Sequence, residues 1–453
     1  MPLEPAGAVV TEWVSLPARI GRARRIGATF GRVYLGIKAN QLLERRLDAA
    51  TMRRRWSRHH ESSAKAIHRT ALDLRGLILK GCQFLGSRAD VLPREYVEVL
   101  SRLQDRVPPR PFPVVRETVE RELGRPLEEV FERFERRPIA AASLAQVHEA
   151  WLREGPRVAV KVQYPEIEAL VRSDLANLRA LFRAVGVVER DFDLMPLVDE
   201  LARYVPRELD FVNEGRNAEA VAGRFAGRPD VRVPAIHWDH TTRRVLVMEF
   251  MEGIKISDVA ALDAAGVDRA AVSRLLAECF CEQILSHGFF HADPHPGNLR
   301  VEPHPDGPRL VLLDFGLAKD LPPRFREGVL AFVAALFRED SRAAAEALLD
   351  LGFETRDGGA DSLEAVARVL LEEGRELHRR AFLDRRRAVA AGEEIQAIVR
   401  RNPVVRIPSH LVLVGRVLGL LSGVGRTLGA EVNLLEVILP YALGTRQTRP
   451  APA

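Results

Sequence analysis

The chain has 453 residues, of which 47% are hydrophobic and 28% charged, and its formal net charge is +5. This length allows up to about three domains, and the composition is that of a soluble globular protein. Three cysteines, Cys82, Cys279 and Cys281, are too few for a disulfide framework. The Cys-Phe-Cys spacing suits neither a redox pair nor a zinc site, so reduced thiols are expected.

The amino-terminal segment is basic. From Arg19 to Arg58 there are twelve Lys or Arg residues and two acids. A solvated helical face or a mobile arm explains this charge, and attachment to an anionic membrane surface, with Trp13, Phe30 and Trp56 as apolar partners, is the alternative. No aromatic-interleaved strand or helix-turn-helix accompanies the charge, so no nucleic-acid partner is expected.

No signal peptide or transmembrane helix is predicted. The amino terminus lacks a basic start, and Thr11 and Glu12 interrupt its apolar run. The apolar segment from Leu411 is interrupted by Arg416 and is too short to span a bilayer, which favours a buried helix. We therefore expect a cytoplasmic protein, with peripheral membrane attachment as the open alternative.

The order of the predicted elements indicates an α+β fold in two lobes. A helical region ends at the proline-rich VPPRPFP, short β-rich runs begin at Pro138, and a helical stretch from Glu166 to Phe225 precedes the strand RRVLVMEF. After Gly253 the chain is mostly helical. Strands followed by helices argue against alternating βαβ units.

Residues 138–147, PIAAASLAQV, follow the spacing of the phosphate-binding loop of protein kinases, G-x-G-x-x-G-x-V. Ala140, Ala142 and Ala145 take the glycine positions, and Val147 takes that of the valine. Alanine-rich stretches usually form helices, so the match needs support from the residues beyond the loop. Lys161, fourteen residues after Val147, ends the predicted strand Val-Ala-Val-Lys. A hairpin turn is predicted at Gly155-Pro156, between the loop and this strand.

The segment HADPHPGN, residues 291–298, matches a kinase catalytic loop, with Asp293 and, five positions later, Asn298. An apolar strand then leads to Asp314-Phe-Gly. Phosphoryl transfer needs cations around the phosphates, so Lys161 would neutralise them, and Asn298 and Asp314 would bind Mg²⁺ through oxygen atoms. Asp293 would take the proton of the acceptor.

A metal hydrolase is the competing interpretation of this loop. His287, His291 and His295 recur every four residues beside Asp293. Four-residue spacing aligns ligands only on a helix, and Pro294 and Pro296 break a helix here. The kinase-type interpretation is therefore preferred.

Two further kinase elements are predicted. A glutamate from the run 208–214 should hold Lys161, and the hinge would be Met248–Met251, with the backbone of Glu249 and Met251 at the adenine and Met248 at the back of the pocket. No A-P-E signature is present after Gly316, and a helix starts near Pro323. A conventional signalling protein kinase is not expected.

From about Asp73 to Leu428 the chain resembles the UbiB/AarF family of atypical, protein-kinase-like proteins. The shared features are the marker K-x-G-Q as Lys80-Gly81-Cys82-Gln83, the alanine loop Ala140-Ala141-Ala142-Ser143, the E-x-D element Glu208-Leu209-Asp210, and HADPHPGN. Two residues depart from the family pattern: Cys82 and Ala145 each replace a glycine. An alanine loop should be stiffer than a glycine loop and clasp the terminal phosphate less well, which predicts slow transfer.

The resemblance implies a bilobal α+β fold with an amino-terminal helical extension packed on the active site. Lys80 and Gln83 would enter the nucleotide pocket, Glu208 and Asp210 would hold Lys80, and Glu214 remains as the partner of Lys161. The implied domains are a basic arm (1–60), the K-x-G-Q extension (61–135), a kinase-like N-lobe (136–251), a helical C-lobe (252–443) and a disordered tail (444–453).

The implied ligands are ATP or ADP with Mg²⁺, and the implied activity is that of an ATPase or unorthodox kinase in ubiquinone or other isoprenoid-lipid metabolism. Lipid-biosynthesis enzymes and a lipid surface are the implied partners. A non-catalytic nucleotide-binding scaffold that regulates such enzymes is the alternative. All of these expectations require Lys161, Asn298 and Asp314 to gather around one metal-bound nucleotide.

Overall fold

A computed structural model describes residues 16–44, 46–86, 92–100, 103, 109–188, 195–380, 394–395, 398, 402, 404–406, 408–430 and 432–442. The chain divides into two compact units. Unit 1 is drawn from Met1–Arg216 and Pro234–Met251, and unit 2 from Asn217–Val233 and Glu252–Ala453. Trp13, the predicted tail and the side chain of Gln83 lie outside the described residues.

Helices make up most of both units. They are α1 (Leu16–Leu43), α2 (Ala49–Leu74), α3 (Gly76–Gly86), α4 (Arg94–Leu100), α5 (Phe112–Leu123), α6 (Leu127–Val130), α7 (Ile167–Val188), α8 (Met195–Glu208), α9 (Phe211–Arg224), α10 (Val259–Ala264), α11 (Arg269–Cys281), α12 (Pro323–Phe337), α13 (Ser341–Asp350), α14 (Asp361–Arg380), α15 (Ser409–Leu428) and α16 (Leu434–Ala442).

The strands are short. They are β1 (Phe131–Phe134), β2 (Ala140–Ala141), β3 (Ala145–Leu152), β4 (Arg157–Gln163), β5 (Val231–Arg232), β6 (Val245–Glu249), β7 (Ile254–Lys255), β8 (Phe289–His291), β9 (Leu299–Glu302), β10 (Arg309–Leu312), β11 (Ala318–Asp320), β12 (Glu354–Thr355) and β13 (Val404–Arg406).

Unit 1 is built on an antiparallel sheet in the order β1-β3-β4-β6, with β2 paired to β3. The predicted β3–β4 hairpin is confirmed: Trp151 pairs with Arg157 at its end. Glu154 takes a left-handed conformation with φ of 55°, and the Leu152 N–H donates to the Pro156 carbonyl across the turn. One face of the sheet packs on α5 and α6 around a core rich in valine.

The basic amino-terminal segment is a packed part of unit 1. Arg22 of α1 forms a bidentate pair with Asp174 of α7, at 3.0 Å to Oδ1 and 2.5 Å to Oδ2, and this carboxylate is fully buried. Ile26, on the same side of α1, belongs to the apolar core shared by α2, α3 and α7. Helix α2 runs continuously through the predicted boundary at residue 60.

Unit 2 contains a four-stranded sheet in the order β5-β10-β9-β7, with the pairs β8–β11 and β12–β13 beside helices α10–α16. The apolar segment from Leu411 forms α15, whose buried side includes Val417 and Leu421. Among the described residues, no helix combines the length and the hydropathy that a bilayer crossing requires.

Helix α11 continues as a π-helical turn, Glu282–His287, which ends at Gly288 with a left-handed φ of 64°. The turn directs Gln283 inward, and its Oε1 accepts the His291 N–H at 2.9 Å. The His287 ring packs edge-on against Phe225, with centroids 5.1 Å apart. Burial, reinforced by nearby arginines, lowers the pKa of His287 to about 4. Such π-helical turns occur frequently at functional sites.

The His287→Gln variant is expected to lose less stability than the wild type when the pH falls. Between about pH 6.5 and about pH 4 the unfolded chain binds a proton that the folded His287 does not, so the free energy of unfolding falls as the pH falls through this window. Gln does not titrate, so Tm should fall less steeply with pH in H287Q. Thermal unfolding across this pH range measures both slopes, and equal slopes would contradict the assignment.

Candidate functional site

The alanine loop is the β2–β3 hairpin. The Ala142 N–H donates to the Ala145 carbonyl at 2.8 Å, and Tyr164 holds the loop through its N–H to the Leu144 carbonyl (3.0 Å) and its hydroxyl to the Ala142 carbonyl (3.2 Å). Every residue of this loop has negative φ. Alanine is therefore unstrained here, because the backbone does not use the left-handed region that favours glycine.

The loop is also fixed from the helical extension. Leu144 is buried and belongs to the same apolar core as Leu79 and Cys82 of α3. Ser143 beside it is also buried, at 4% exposure. The predicted loop residues Ala140 and Ala141 form strand β2 and pair with Val147 and Gln146 of β3.

Lys161 and Glu214 form a buried ion pair within unit 1. Lys161 lies on β4, where its register partners are Val147 and Leu246, and its ammonium group is 2.7 Å and 2.8 Å from the two Glu214 carboxylate oxygens. Their side chains are only 11% and 3% exposed. The Phe211 ring lies 5.2 Å from the same ammonium group. The structure thus brings together the pair that the sequence predicted.

The marker and the E-x-D element also meet in unit 1. The Lys80 ammonium group is 2.7 Å from a Glu208 carboxylate oxygen. Asp210 lies at the start of α9, where its Oδ1 accepts the N–H groups of Val212 and Asn213. A side-chain oxygen in that position caps a helix amino terminus. The contact of Asp210 with Lys80 stays a prediction.

Cys82, the departure from the family marker, is accommodated as a small apolar group. It is 5% exposed within the unit 1 core, and burial raises the pKa of its thiol to about 12. The neighbouring Lys80 still reaches Glu208. A side chain at position 82 therefore does not keep the Lys80 ammonium group from its carboxylate partner.

The predicted hinge, Met248–Met251, begins with the last two residues of β6 and continues beyond the end of that strand. Met248 pairs with Ala159 of β4 and belongs to the same apolar cluster as Ala145 of the loop. The Glu249 N–H donates to the Ala235 carbonyl, and Met251 is buried. Their contact with adenine stays a prediction.

In unit 2, His291 joins the predicted catalytic loop to the strand before Asp314. It is fully buried, its Nε2 is 2.9 Å from the Leu313 carbonyl and its Nδ1 accepts the Asp293 N–H at 3.2 Å. The ring therefore carries its proton on Nε2. Both nitrogens are engaged, which removes the central ligand of the metal-hydrolase interpretation. The described residues contain no group of three or more His, Cys, Asp or Glu arranged to hold a metal.

Asn298 and Asp314 flank two paired strands. Because Leu299 of β9 is the register partner of Leu312 of β10, the two residues lie at the same end of the strand pair. The Asn298 amide nitrogen donates to the Asp293 carbonyl at 3.2 Å, which commits the nitrogen and leaves the oxygen as the ligand atom. A carboxylate beside an amide oxygen is a donor set that fits Mg²⁺.

Asp314 has a left-handed backbone with φ of 59°, which is uncommon for a residue other than glycine. Its Oδ1 accepts the Gly316 N–H at 3.3 Å. Strained residues of this kind cluster at functional sites, where the surrounding structure holds them.

Sequence reasoning missed two members of this site. Arg416 of α15 lies 2.9 Å from the Asp293 carboxylate, and Gln283 holds the backbone at His291. In the sequence, Arg416 stands out only as an interruption of an apolar segment. A lone arginine in such a segment is itself a signal, because a buried guanidinium requires a counter-charge.

The antiparallel sheet with its buried lysine–glutamate pair, and the loop 291–298 held by His291, define a kinase-like protein of the α+β class. The model of the ABC1 atypical kinase-like domain matches residues 102–348. The chain belongs to this ABC1 family, so the resemblance to UbiB/AarF proteins is confirmed.

Two relatives illustrate the match. Protein ACTIVITY OF BC1 COMPLEX KINASE 8, chloroplastic, of Arabidopsis thaliana is 36% identical in an alignment of 418 residues that covers 86% of this chain and 54% of the relative. AarF domain-containing protein kinase 1 of Gallus gallus is 35% identical over 363 residues, 80% of this chain and 68% of the relative. The chain thus spans only about half the length of some curated relatives that it matches.

A solved structure shows the same fold. The Rv3197–erythromycin complex from Mycobacterium tuberculosis aligns with a TM-score of 0.56 and 25% sequence identity, covering 81% of this chain and 92% of that chain. This likeness extends well beyond the 102–348 segment that the family model matches.

Glu214→Gln is expected to lower the free energy of unfolding of unit 1 by about 3–5 kcal/mol, because it leaves the Lys161 ammonium buried without a counter-charge. The double change Lys161→Met with Glu214→Leu should recover most of that loss. Glu98→Gln is the matched control, since its pair with Arg94 is exposed and is worth less than about 1 kcal/mol. Denaturant unfolding measures all three, and a small loss in Glu214→Gln would contradict the pairing.

Proposed function

We propose that this chain binds ATP or ADP with Mg²⁺ and acts as an atypical kinase or ATPase. The observation that carries the proposal is the Lys161–Glu214 pair, in which a lysine is kept charged and oriented although it is almost fully buried. Such a cation suits the α and β phosphates of a nucleotide. The loop residues 140–143 and the backbone at Glu249 and Met251 are proposed to bind the rest of the nucleotide.

The proposed metal ligands are Asn298 and Asp314. Mg²⁺ would neutralise phosphate charge and draw electrons from the bond that breaks. The residues themselves keep two oxygen donors where β9 begins and β10 ends. The Asn298 amide nitrogen is committed to the Asp293 carbonyl, and the left-handed backbone turns Asp314 away from the strand direction. Asp293 is the proposed proton acceptor.

Two features oppose a conventional protein kinase. Strand β11 pairs with β8 directly after Gly316, and α12 begins at Pro323. Only six residues separate Gly316 from the start of α12, which leaves no room for a long activation loop that would dock a protein substrate.

The scaffold alternative rests on the alanine loop. Tyr164 holds the loop by two hydrogen bonds, and the adjoining Leu144 is packed in the core. A loop pinned in this way cannot close readily over a terminal phosphate. Slow transfer, or binding without transfer, would result from this stiffness.

Asp293→Asn is expected to bind MgATP like wild type while its turnover falls by about 10²- to 10⁴-fold, since the proton acceptor is lost. Asp314→Asn should lose the dependence of binding on Mg²⁺. Thermal shift with ATP or ADP, with and without Mg²⁺, reports binding, because a ligand of the folded state raises Tm.

Asp306→Asn is the matched control, because this carboxylate has a side-chain exposure of 92% and lies on the turn between β9 and β10. It should behave like wild type in both assays. Unchanged turnover in Asp293→Asn would favour the scaffold, and a wild-type protein without any nucleotide-dependent shift would end the proposal.

We also propose that the protein acts at an anionic membrane surface in ubiquinone or other isoprenoid-lipid metabolism, with lipid-biosynthesis enzymes as partners. The pathway and the enzymes rest on the family resemblance. The surface rests on α1, whose outer side exposes Ile20, Leu35 and Leu42 at 51%, 68% and 77%. Spacings of fifteen and seven residues bring these side chains to one side of a helix.

Arg24 lies on the same side of α1, Arg32 lies at the margin of that side, and both are exposed. Arg25 is also exposed but lies farther round the helix, where it pairs with Asp73 of α2 at 3.4 Å, and α1 contains no acidic residue. Arg22 and Ile26, by contrast, point into unit 1. Exposed apolar side chains among arginines are the pattern of helices that lie on anionic bilayers.

Combined Leu35→Ser and Leu42→Ser changes, with Arg24, Arg25 and Arg32 changed to Gln, should abolish co-sedimentation with phosphatidylglycerol-containing vesicles. The control variant changes Arg342 and Arg368, two exposed arginines of α13 and α14, to Gln and should sediment like wild type. Equal binding to vesicles of phosphatidylcholine alone would exclude an anionic lipid as the partner.

A further inference from the structure

The carboxylate of Asp293 is held by an arginine from a distant part of the chain. Arg416 Nη2 of α15 donates to Asp293 Oδ1 at 2.9 Å, across 123 residues of sequence. The arginine side chain is 8% exposed and the aspartate side chain 21% exposed. Both residues belong to unit 2.

Helix α15 offers a fixed platform for this arginine. Its buried side packs through leucine and valine residues such as Val417 and Leu421. Near its start, the His410 ring lies 5.7 Å from that of Phe325 on α12, and at its end the Leu428 carbonyl accepts from Arg269 of α11 at 2.9 Å. Arg416 therefore cannot leave Asp293 through a hinge motion of a loose segment.

The backbone of Asp293 is equally constrained. Its N–H donates to His291 Nδ1, and its carbonyl accepts from the His295 N–H at 2.7 Å and from the Asn298 amide nitrogen at 3.2 Å. With the backbone held by three hydrogen bonds, the rotation of the side chain is the remaining freedom of this residue. The contact with Arg416 removes that freedom.

We propose that Arg416 is a positioning residue for the phosphoryl transfer or hydrolysis proposed above, on which this inference rests. It holds Oδ1 so that the carboxylate is presented in one orientation to the acceptor. In the step, the acceptor oxygen forms a bond to the terminal phosphorus while its proton passes to Asp293. The bond from phosphorus to the ADP oxygen breaks, and ADP leaves with the electron pair.

A latch that inhibits the enzyme by occupying Asp293 is the opposite role for the same contact. Such a latch must come away from the carboxylate when the enzyme becomes active. The packing of α15 at both ends and along its buried side opposes this movement. An arginine that stays in place supports preorganisation, which lowers the barrier when a reacting group is held in its productive geometry.

The test compares Arg416→Met and Arg416→Lys in the full chain with MgATP as the probe. Arg416→Met should lower kcat by about tenfold to a hundredfold, as expected for a misplaced catalytic group, and leave KM for ATP nearly unchanged. Arg416→Lys keeps a cation near Oδ1 and should recover part of the loss. In the Asp293→Asn background, Arg416→Met should cause no further loss, because the two residues act as a unit.

Arg426→Met is the matched control, since this arginine lies on the same helix and is exposed. The thermal shift with MgATP should persist in both Arg416 variants, which separates a positioning effect from loss of the fold. The inference would be overturned if Arg416→Met kept or exceeded wild-type turnover, if both variants lost turnover equally, or if the thermal shift were lost. An inactive Asp293→Asn would still leave the proposed function standing. Absence of turnover in the wild type would overturn both.

Discussion

A buried lysine that must remain charged is the constraint on which unit 1 depends. Lys161 lies in the middle of an apolar strand, and removing its charge from water is costly unless an anion is fixed beside it. Glu214 supplies that anion from the first turn of α9, and Asp210 caps the start of the same helix. Gln163, two residues beyond the lysine, holds the α8–α9 junction by donating to the Leu209 carbonyl at 2.9 Å. The ion pair and these hydrogen bonds therefore fix the position of α9 relative to strand β4.

The helical extension is tied to the same region by a second ion pair. Lys80 meets Glu208, two residues before the Asp210 cap, and Leu144 of the alanine loop shares its core with α3. Loop, extension and E-x-D element thus form one packed assembly within unit 1. In such an assembly an alanine loop is a consistent choice: the backbone makes no use of positive φ, and Tyr164 fixes it from behind. Stiffness arises from packing as much as from the missing glycines.

The main feature of unit 2 is the placement of carboxylate and amide side chains near one end of the β9–β10 strand pair. A single buried histidine, His291, bridges the Leu313 carbonyl and the Asp293 N–H, and the π-helical turn brings Gln283 to its backbone. This arrangement explains why histidines spaced every four residues did not indicate a metal site. His291 has both nitrogens engaged in hydrogen bonds, and His287 packs against Phe225 as a neutral ring. His287 and His291 therefore each have a structural role, and their four-residue spacing does not mark metal ligands.

The sequence by itself determined the family, the α+β fold and the β3–β4 hairpin, because local patterns and fixed spacings specify them. The same patterns selected Lys161, Asp293 and Asp314 as candidate site residues. The sequence also selected Glu214 correctly for contact with Lys161, although only by comparison with a family. Tertiary structure alone decided that α1 packs through Arg22 onto Asp174, that α2 runs unbroken past residue 60, and that Arg416 reaches Asp293. Contacts across a hundred or more residues depend on how helices pack, and helix periodicity specifies a buried side without naming the partner that covers it.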